Sequence, residues 1–416
     1  MKEYSAWQLF RQGLGGHRGW KPAWRSPNPK PNYDVVIVGG GGHGLAAAYY
    51  LARLHGVTSV AVLEKGWIGG GNTGRNTTII RSNYYYPESI ALFELALKLY
   101  EGLSDDLNFN IMFSQRGLFV TAHSRHQTES IRRWVGSMQA YGVEAELIDV
   151  PEIERRVPSF NTRHERFPVW GGFKQERAGT ARHDAVAWGY ARGADRLGVD
   201  IIQNCEVTGF RKNNQGTVTG VETNRGTIGA GKILLCAAGH STVLAQEAGF
   251  RLPVSSYGLQ AFVTEPLKPV LDVVSWSLAC GVYVSQSDKG GLVFGGALDH
   301  YNSYAQRGGI PVAMQVVGSL GEYWPGFRNA RVVRQWAGIV DVVQDSSPIL
   351  GETPVPGLYI NCGWGTGGFK AIPAGGWLMA HHLATGKPHD IAKPFALTRF
   401  ETGALIDEAA GAGIDH

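Results

Sequence analysis

Residues 34–44 read DVVIVGGGGHG, and Glu64 closes the next apolar run, Val60–Leu63. A short, unbroken apolar run such as Val35–Val38 belongs to a strand buried on both faces of a parallel sheet. The loop Gly39–Gly44 follows it, then the alanine-rich helical stretch Leu45–Leu54. Strand, glycine loop, helix, strand and acid stand in the register of a dinucleotide-binding βαβ unit. Glycines at 39, 41, 42 and 44 let the backbone turn tightly and approach a pyrophosphate at the positive end of a helix. The Glu64 carboxylate, 20 residues past Gly44, can accept hydrogen bonds from ribose hydroxyls.

Further dinucleotide-fold elements recur at a distance. Tyr84–Leu107 has helical spacing, and a helix from residue 182 leads into the strand Val199–Gln203. Glu206–Lys212, Val218–Thr223 and Thr227–Ala230 predict a β-meander, and Lys232–Cys236 another buried strand ending at the AAGHS turn. Leu358–Asn361 returns to a buried strand, and a helix over Gly375–Leu383 comes last. Between these blocks, Gly117–Thr121 and Val169–Phe173 predict strands flanking a helix around His126–Tyr141. Residues 256–340 read as short alternating strands of an antiparallel sheet. The expected fold is therefore α/β: a dinucleotide-fold domain split over 33–115, 175–255 and 340–395, and an antiparallel-sheet substrate domain built from the insertions 116–174 and 256–339. An arm (1–32) and a tail (396–416) flank them.

The 57 glycines, 44% hydrophobic and 18% charged residues describe an ordinary globular chain with unusually many glycine loops. The net charge of +4 is local: residues 1–32 hold six Lys/Arg against one Glu, and the remainder 33 basic against 34 acidic residues. A neutral body argues against nucleic acid as a partner. The four cysteines stand far apart without a CxxC, so they read as buried thiols of a reducing compartment, not as a disulfide frame or metal site. No apolar run approaches the ~20 residues of a membrane span, and no signal peptide is evident, so a cytoplasmic protein is expected. The arm carries Trp7, Leu9, Phe10, Leu14, Trp20 and Trp24. It either folds back on its own domain or docks on a partner subunit.

Two more glycine-rich stretches carry chemistry. GGGNTGRNTTIIR (69–81) follows the acid strand closely, where it can wrap a pyrophosphate and a flavin ring; that feature separates FAD proteins from plain NAD proteins. Arg81, beside Ile79 and Ile80, is either a salt-bridge residue or an anchor for a substrate carboxylate. YINCGWGTGGFK (359–370) leads into a helix, and its amides can stabilise negative charge on a reduced flavin. Lys370 then reads as a flavin or carboxylate contact. His183 begins a helix whose positions 183, 186, 187, 190, 194 and 197 form one mostly apolar face. The helix dipole and Arg182 disfavour imidazolium there. From the residues alone, it is a buried, hydrogen-bonded histidine.

The order GGGGHG, Glu64, GRNTTIIRS, ARHDAV, AAGHS and CGWGTGGFK resembles the D-amino-acid-oxidase-like flavoprotein superfamily, and within it the beta subunits of heterotetrameric sarcosine oxidases, over nearly the whole chain. The resemblance implies non-covalent FAD on Gly39, Gly41, Gly42, His43, Gly44, Glu64, Asn72, Thr77 and Ile79. Val207 would lie towards the adenine, and Gly365, Gly368 and Lys370 along the ring. It implies a second flavin, FMN, covalently joined to His183, with Arg182, His240 and Arg334 near it. It further implies alpha, gamma and delta partner subunits and oxidative demethylation of sarcosine. Electrons would pass from FAD to FMN and on to oxygen, giving hydrogen peroxide, and the one-carbon unit would go to tetrahydrofolate in a partner. Arg81 and Lys370 are the expected carboxylate anchors. A dehydrogenase of a related N-methyl or 2-hydroxy acid, or a scaffold that only holds flavin, remain the alternatives.

Overall fold

A computed structural model describes residues 5–18 and 22–408. Its first sheet runs β17 (Ile349–Glu352), β18 (Leu358–Cys362), β11 (Gly226–Leu235), β1 (Asn32–Val38), β2 (Val60–Leu63) and β8 (Asp200–Ile202). All neighbours on this path are parallel except β17 and β18. The hairpin strands β9 (Val207–Lys212) and β10 (Val218–Thr223) extend it through β11. Alternation explains the unbroken apolar runs. Val35, Ile37, Val60 and Val62 belong to the core beneath the helices, and Val36, Val38, Ala61 and Leu63 to a second core on the other face.

The helices over the first face are α2 (Gly42–His55), α3 (Pro87–Asp106), α6 (His183–Arg196) and α9 (Gly368–Thr385). A Cβ at Gly376 would stand 2.4 Å from Ala46 Cβ, so α2 and α9 touch nearly backbone to backbone. The second sheet runs β16 (Val332–Val343), β12 (Val254–Pro266), β15 (Gly291–Asn302), β14 (Val282–Gln286), β13 (Val274–Ser277), β4 (Leu118–Ala122), β6 (Gly171–Gln175) and β5 (Glu146–Ile148). It is antiparallel except where β13 meets β4. Around it lie α4 (Arg125–Ala140), α5 (Val150–Arg156) and α8 (Ile310–Tyr323). Two short strands, β3 (Ile79–Ile80) and β7 (Gly179–Thr180), pair separately. Two further short helices are α7 (Ser241–Glu247) and α10 (Arg399–Thr402). No helix among the described residues is long and apolar enough to cross a membrane.

Several expectations need correction. The 256–340 region is not all strand: α8 lies within it, burying Val312, Val316, Leu320 and Tyr323 at helical spacing. Its valines and glycines hide a helix that tertiary packing pays for. The strand expected at Val169–Phe173 is Gly171–Gln175, and Thr227–Ala230 and Lys232–Cys236 are largely one continuous strand, β11. The last long helix begins at Gly368, seven residues before Gly375, despite Pro373 inside it. Proline cannot donate to the carbonyl four residues back; that carbonyl, of Phe369, accepts from Tyr100 Oη at 2.7 Å instead. Cys205 and Cys362 are buried, but Cys236 and Cys280 are only partly so.

The arm divides in two. Arg25 pairs with Asp195 at 2.8 Å and Lys30 with Asp200 at 2.7 Å, and Trp24 packs on the main core. Helix α1 (Ala6–Leu14) buries nothing and exposes Trp7, Leu9, Phe10 and Leu14. Trp20 lies outside the described residues. Deleting the chain through residue 18 is therefore expected to move the thermal midpoint by no more than about 2 °C, read by circular dichroism; a larger fall would mean that α1 packs on the body.

Candidate functional site

A cavity of about 1230 Å³ runs from the glycine loop after β1 to the concave side of the second sheet. Its first wall is the start of α2. Gly39 has φ +115°, and a Cβ there would stand 2.4 Å from the Cys236 carbonyl oxygen. Gly44 does not line the cavity; a Cβ on it would meet the Gly39 oxygen at 2.1 Å, so it lets the helix sit against the loop. Gly41 caps α2 without a side-chain hydrogen bond, which leaves N–H groups at the positive helix end for an anion. The Glu64 carboxylate lies at the rim, accepting from Gly40 N and Gly66 N at 2.8 Å each.

Asn72 exchanges hydrogen bonds with the Ile339 backbone, the Ile339 N–H reaching its Oδ1 at 2.8 Å. This ties the second glycine stretch to β16. Thr77 donates to Tyr283 Oη at 3.2 Å. His43 lies in the first turn of α2, its Nε2 2.9 Å from the Gly368 carbonyl and its ring stacked on Trp364 at 4.6 Å. A carbonyl only accepts, so Nε2 carries the proton and Nδ1, buried without a partner, is a free acceptor. Burial pulls the His43 pKa down to about 4, so the ring is neutral.

At the far end, the Arg81 guanidinium lies 5.1 Å from the Tyr84 ring and 5.5 Å from that of Trp276. It donates to Asn83 Oδ1 at 2.9 Å. Lys370 is buried on α9 and donates to the Thr366 carbonyl at 2.9 Å. Burial first, and the Arg81 charge second, hold its pKa well below the ordinary lysine range. The Arg81 guanidinium and the Lys370 amine thus line the same cavity, the ammonium form of Lys370 disfavoured by its surroundings. Asp341 is buried beneath the turn after β18 and accepts from Gly363 N at 2.6 Å; burial raises its pKa to about 6, against the pull of the amides of that turn.

The structure therefore gathers into one cavity Gly39, Gly41, Gly42, His43, Glu64, Asn72, Thr77, Ile79, Arg81, Val207, His240, Gly365, Gly368 and Lys370. Four expected residues do not line it: Gly44, described above, Arg182, His183 and Arg334. Arg182 binds Asp184, Nε to Oδ1 at 3.0 Å, and His183 opens α6 next to it. Burial lowers the His183 pKa; the Asp184 charge opposes this and Arg182 reinforces it. Arg334 stands exposed on β16, where its charge acts on Arg75. Tyr84, Trp276 and Asp341 were not anticipated, because nothing near them in sequence marks them.

The family model for FAD dependent oxidoreductases matches residues 34–382. The chain is 56% identical over 405 residues to sarcosine oxidase subunit beta of Rhizobium meliloti, covering 97% of both. It is 52% identical to that of Rhodobacter capsulatus, covering all of each. The chain belongs to the FAD dependent oxidoreductase family, among the sarcosine oxidase beta subunits. Among solved structures it resembles the L-proline dehydrogenase of P. horikoshii, with TM-score 0.85, 26% identity, and coverage of 91% of this chain and 100% of that one.

As a flavin-dependent oxidoreductase subunit, this chain must fit FAD, and its residues do. Where a Cβ would stand on Gly71 and Gly365, both lining the cavity, nothing lies within 4 Å. That clear space suits a flat group pressed on the backbone; the start of α2 and the Glu64 carboxylate would be the groups to hold a pyrophosphate and ribose hydroxyls. Gly44→Ala would displace the Gly39 carbonyl. At an overpacking cost of about 1–3 kcal/mol, FAD affinity should fall roughly tenfold or more, measured as the flavin-to-protein absorbance ratio after dialysis.

Proposed function

We propose that this chain carries out the oxidative demethylation of sarcosine to glycine as the beta subunit of a heterotetramer with alpha, gamma and delta partners. The carrying observation is the Arg81–Lys370 pair, a guanidinium and a buried amine in one aromatic-walled cavity beside the glycine turn before α9. A small amino acid offers the carboxylate that such a pair would bind. FAD bound there supplies the acceptor for the hydride of the N-methyl group. Arg81, held by two rings and Asn83, fixes the carboxylate; Lys370 takes up a proton as the carboxylate arrives. The methyl group would then be held beside the bound flavin. Oxidation of an unprotonated amine needs no nucleophile from the protein.

For the electrons' exit, the proposed FMN is joined through its 8α carbon to His183, whose burial favours the neutral imidazole that can attack an electrophile there. Arg182 and Arg334 would supply charge for its phosphate. The electrons reduce oxygen to hydrogen peroxide, and the one-carbon unit passes to tetrahydrofolate in a partner subunit. The helix α1, with Trp7 and Phe10 stacked at 5.8 Å on an exposed face, is proposed as a partner contact. The variant lacking residues 1–18 should keep FAD and lose co-purification with the alpha subunit.

Anaerobic sarcosine should bleach the flavin of the assembled enzyme; a spectrum that stays oxidised overturns the reading. Arg81→Met or Lys370→Met should raise KM for sarcosine roughly tenfold to a hundredfold, as expected for a lost charge-assisted bond, and the Arg81 variant should keep its flavin. Carboxylate binding requires the ammonium form of Lys370, whose free-state pKa is lowered. Affinity should therefore fall as pH rises through that pKa, and binding above it should take up a proton, seen as a buffer-dependent calorimetric enthalpy. Lys370→Met abolishes the uptake.

After denaturation and gel electrophoresis, yellow fluorescence should remain with this chain and vanish in His183→Ala. A flavin-free band from the assembled wild-type enzyme would sink the linkage.

A further inference from the structure

Beyond α9 the chain turns back across the body. Arg399, fully buried, donates from Nε to Asp345 Oδ2 at 2.7 Å and from Nη2 to Oδ1 at 2.9 Å. Around this ion pair the strap closes: the Ile406 N–H reaches Asp345 Oδ2 at 3.2 Å, and Ser347 Oγ donates to the Ile406 carbonyl at 2.8 Å. The Ile406 side chain enters the main core. The residues that follow are thus delivered to a fixed place.

Two residues on, the Glu408 carboxylate accepts from the N–H groups of Tyr85 and of Tyr86, the latter at 3.2 Å. These groups open α3, whose N-cap Tyr86 has no capping side chain of its own. Glu408 therefore serves as that helix's cap, favoured by the helix dipole. The capped turn is the one that carries Asn83 and Tyr84, the supports of Arg81. Glu408 also lines the same cavity as Arg81 and Lys370. Burial pushes its carboxyl above the usual range, and the two amides and the Arg81 charge pull it back. Of the other cavity acids, Glu64 lies at the glycine loop, Glu206 just before β9, Asp299 on β15 beside Gln260, and Asp341 under the turn after β18.

A cavity end with Arg81 and Lys370 alone would favour ligands with two carboxylates over those with one. The charge at Glu408 opposes that preference. We propose that Glu408, brought in by the Arg399–Asp345 strap, determines selectivity, closing the Arg81 end with a fixed negative charge that admits a mono-carboxylate and rejects a dicarboxylate. The proposal rests on the reading of Arg81 and Lys370 as carboxylate anchors. It adds a reason why a substrate with a single carboxylate is preferred.

The test uses the FAD-loaded full complex near neutral to mildly alkaline pH, with acetate and malonate as probes and flavin absorbance as the readout. The wild type should bind acetate more tightly than malonate. Glu408→Gln keeps an acceptor for the two amides and removes the charge; the malonate-to-acetate affinity ratio should rise about tenfold, with flavin content unchanged. Glu408→Asp should keep the wild-type ratio, which a purely structural role would not require. A wild type that prefers malonate, or a ratio unmoved by Glu408→Gln, overturns the proposal. Neither result depends on turnover, whereas a flavin left oxidised by sarcosine would overturn the substrate assignment instead.

Discussion

Helix α2 lies against α9 with almost no side chain between them, and the rest of the site depends on that approach. A Cβ at Gly42 would stand 2.2 Å from Ile372 Cδ1, and the alanines of α2 meet Gly376 across the contact. The approach brings the open N-terminus of α2 and the glycine turn before α9 to the same cavity. His43 locks the two, through the Gly368 carbonyl and the Trp364 ring. Bulk at this seam would move apart the two ends of a cofactor site that the backbone, not side chains, defines.

Charge within the cavity is arranged by desolvation as much as by pairing. The Arg81 guanidinium lies against two aromatic faces. Burial and the Arg81 charge hold the pKa of Lys370, a few residues into α9, well below the ordinary lysine range. Asp341 is raised to about 6 while it grips the turn after β18. A bound anion would favour the charged forms of Arg81 and Lys370 and oppose that of Asp341.

The two ends of the described chain behave differently. The strap from Arg399 to Glu408 is pinned by a buried ion pair and core packing, so it is a wall of the site. Loss of one partner of such a pair costs about 3–5 kcal/mol, because the other is left buried and uncompensated. Helix α1 is held by no buried residue, and its aromatic face stands open.

The sequence by itself determined the βαβ unit, because glycine spacing, an unbroken apolar run and Glu64 are local signals of strand, loop and helix end. It also determined the glycine stretches that line the cavity, and through them the family. It misplaced what depends on context: α8 looked like strands because valine fits either, and Pro373 hid the start of α9 until Tyr100 took up the freed carbonyl. Only the tertiary structure set Trp276 over Arg81, Asp341 beneath Gly363 and Glu408 at the start of α3. These residues lie tens to hundreds of positions from what they touch, and no short-range period encodes such meetings. Only it made Lys370 a lysine reluctant to be charged, since a pKa is set by the dielectric and the charges that packing places around a group.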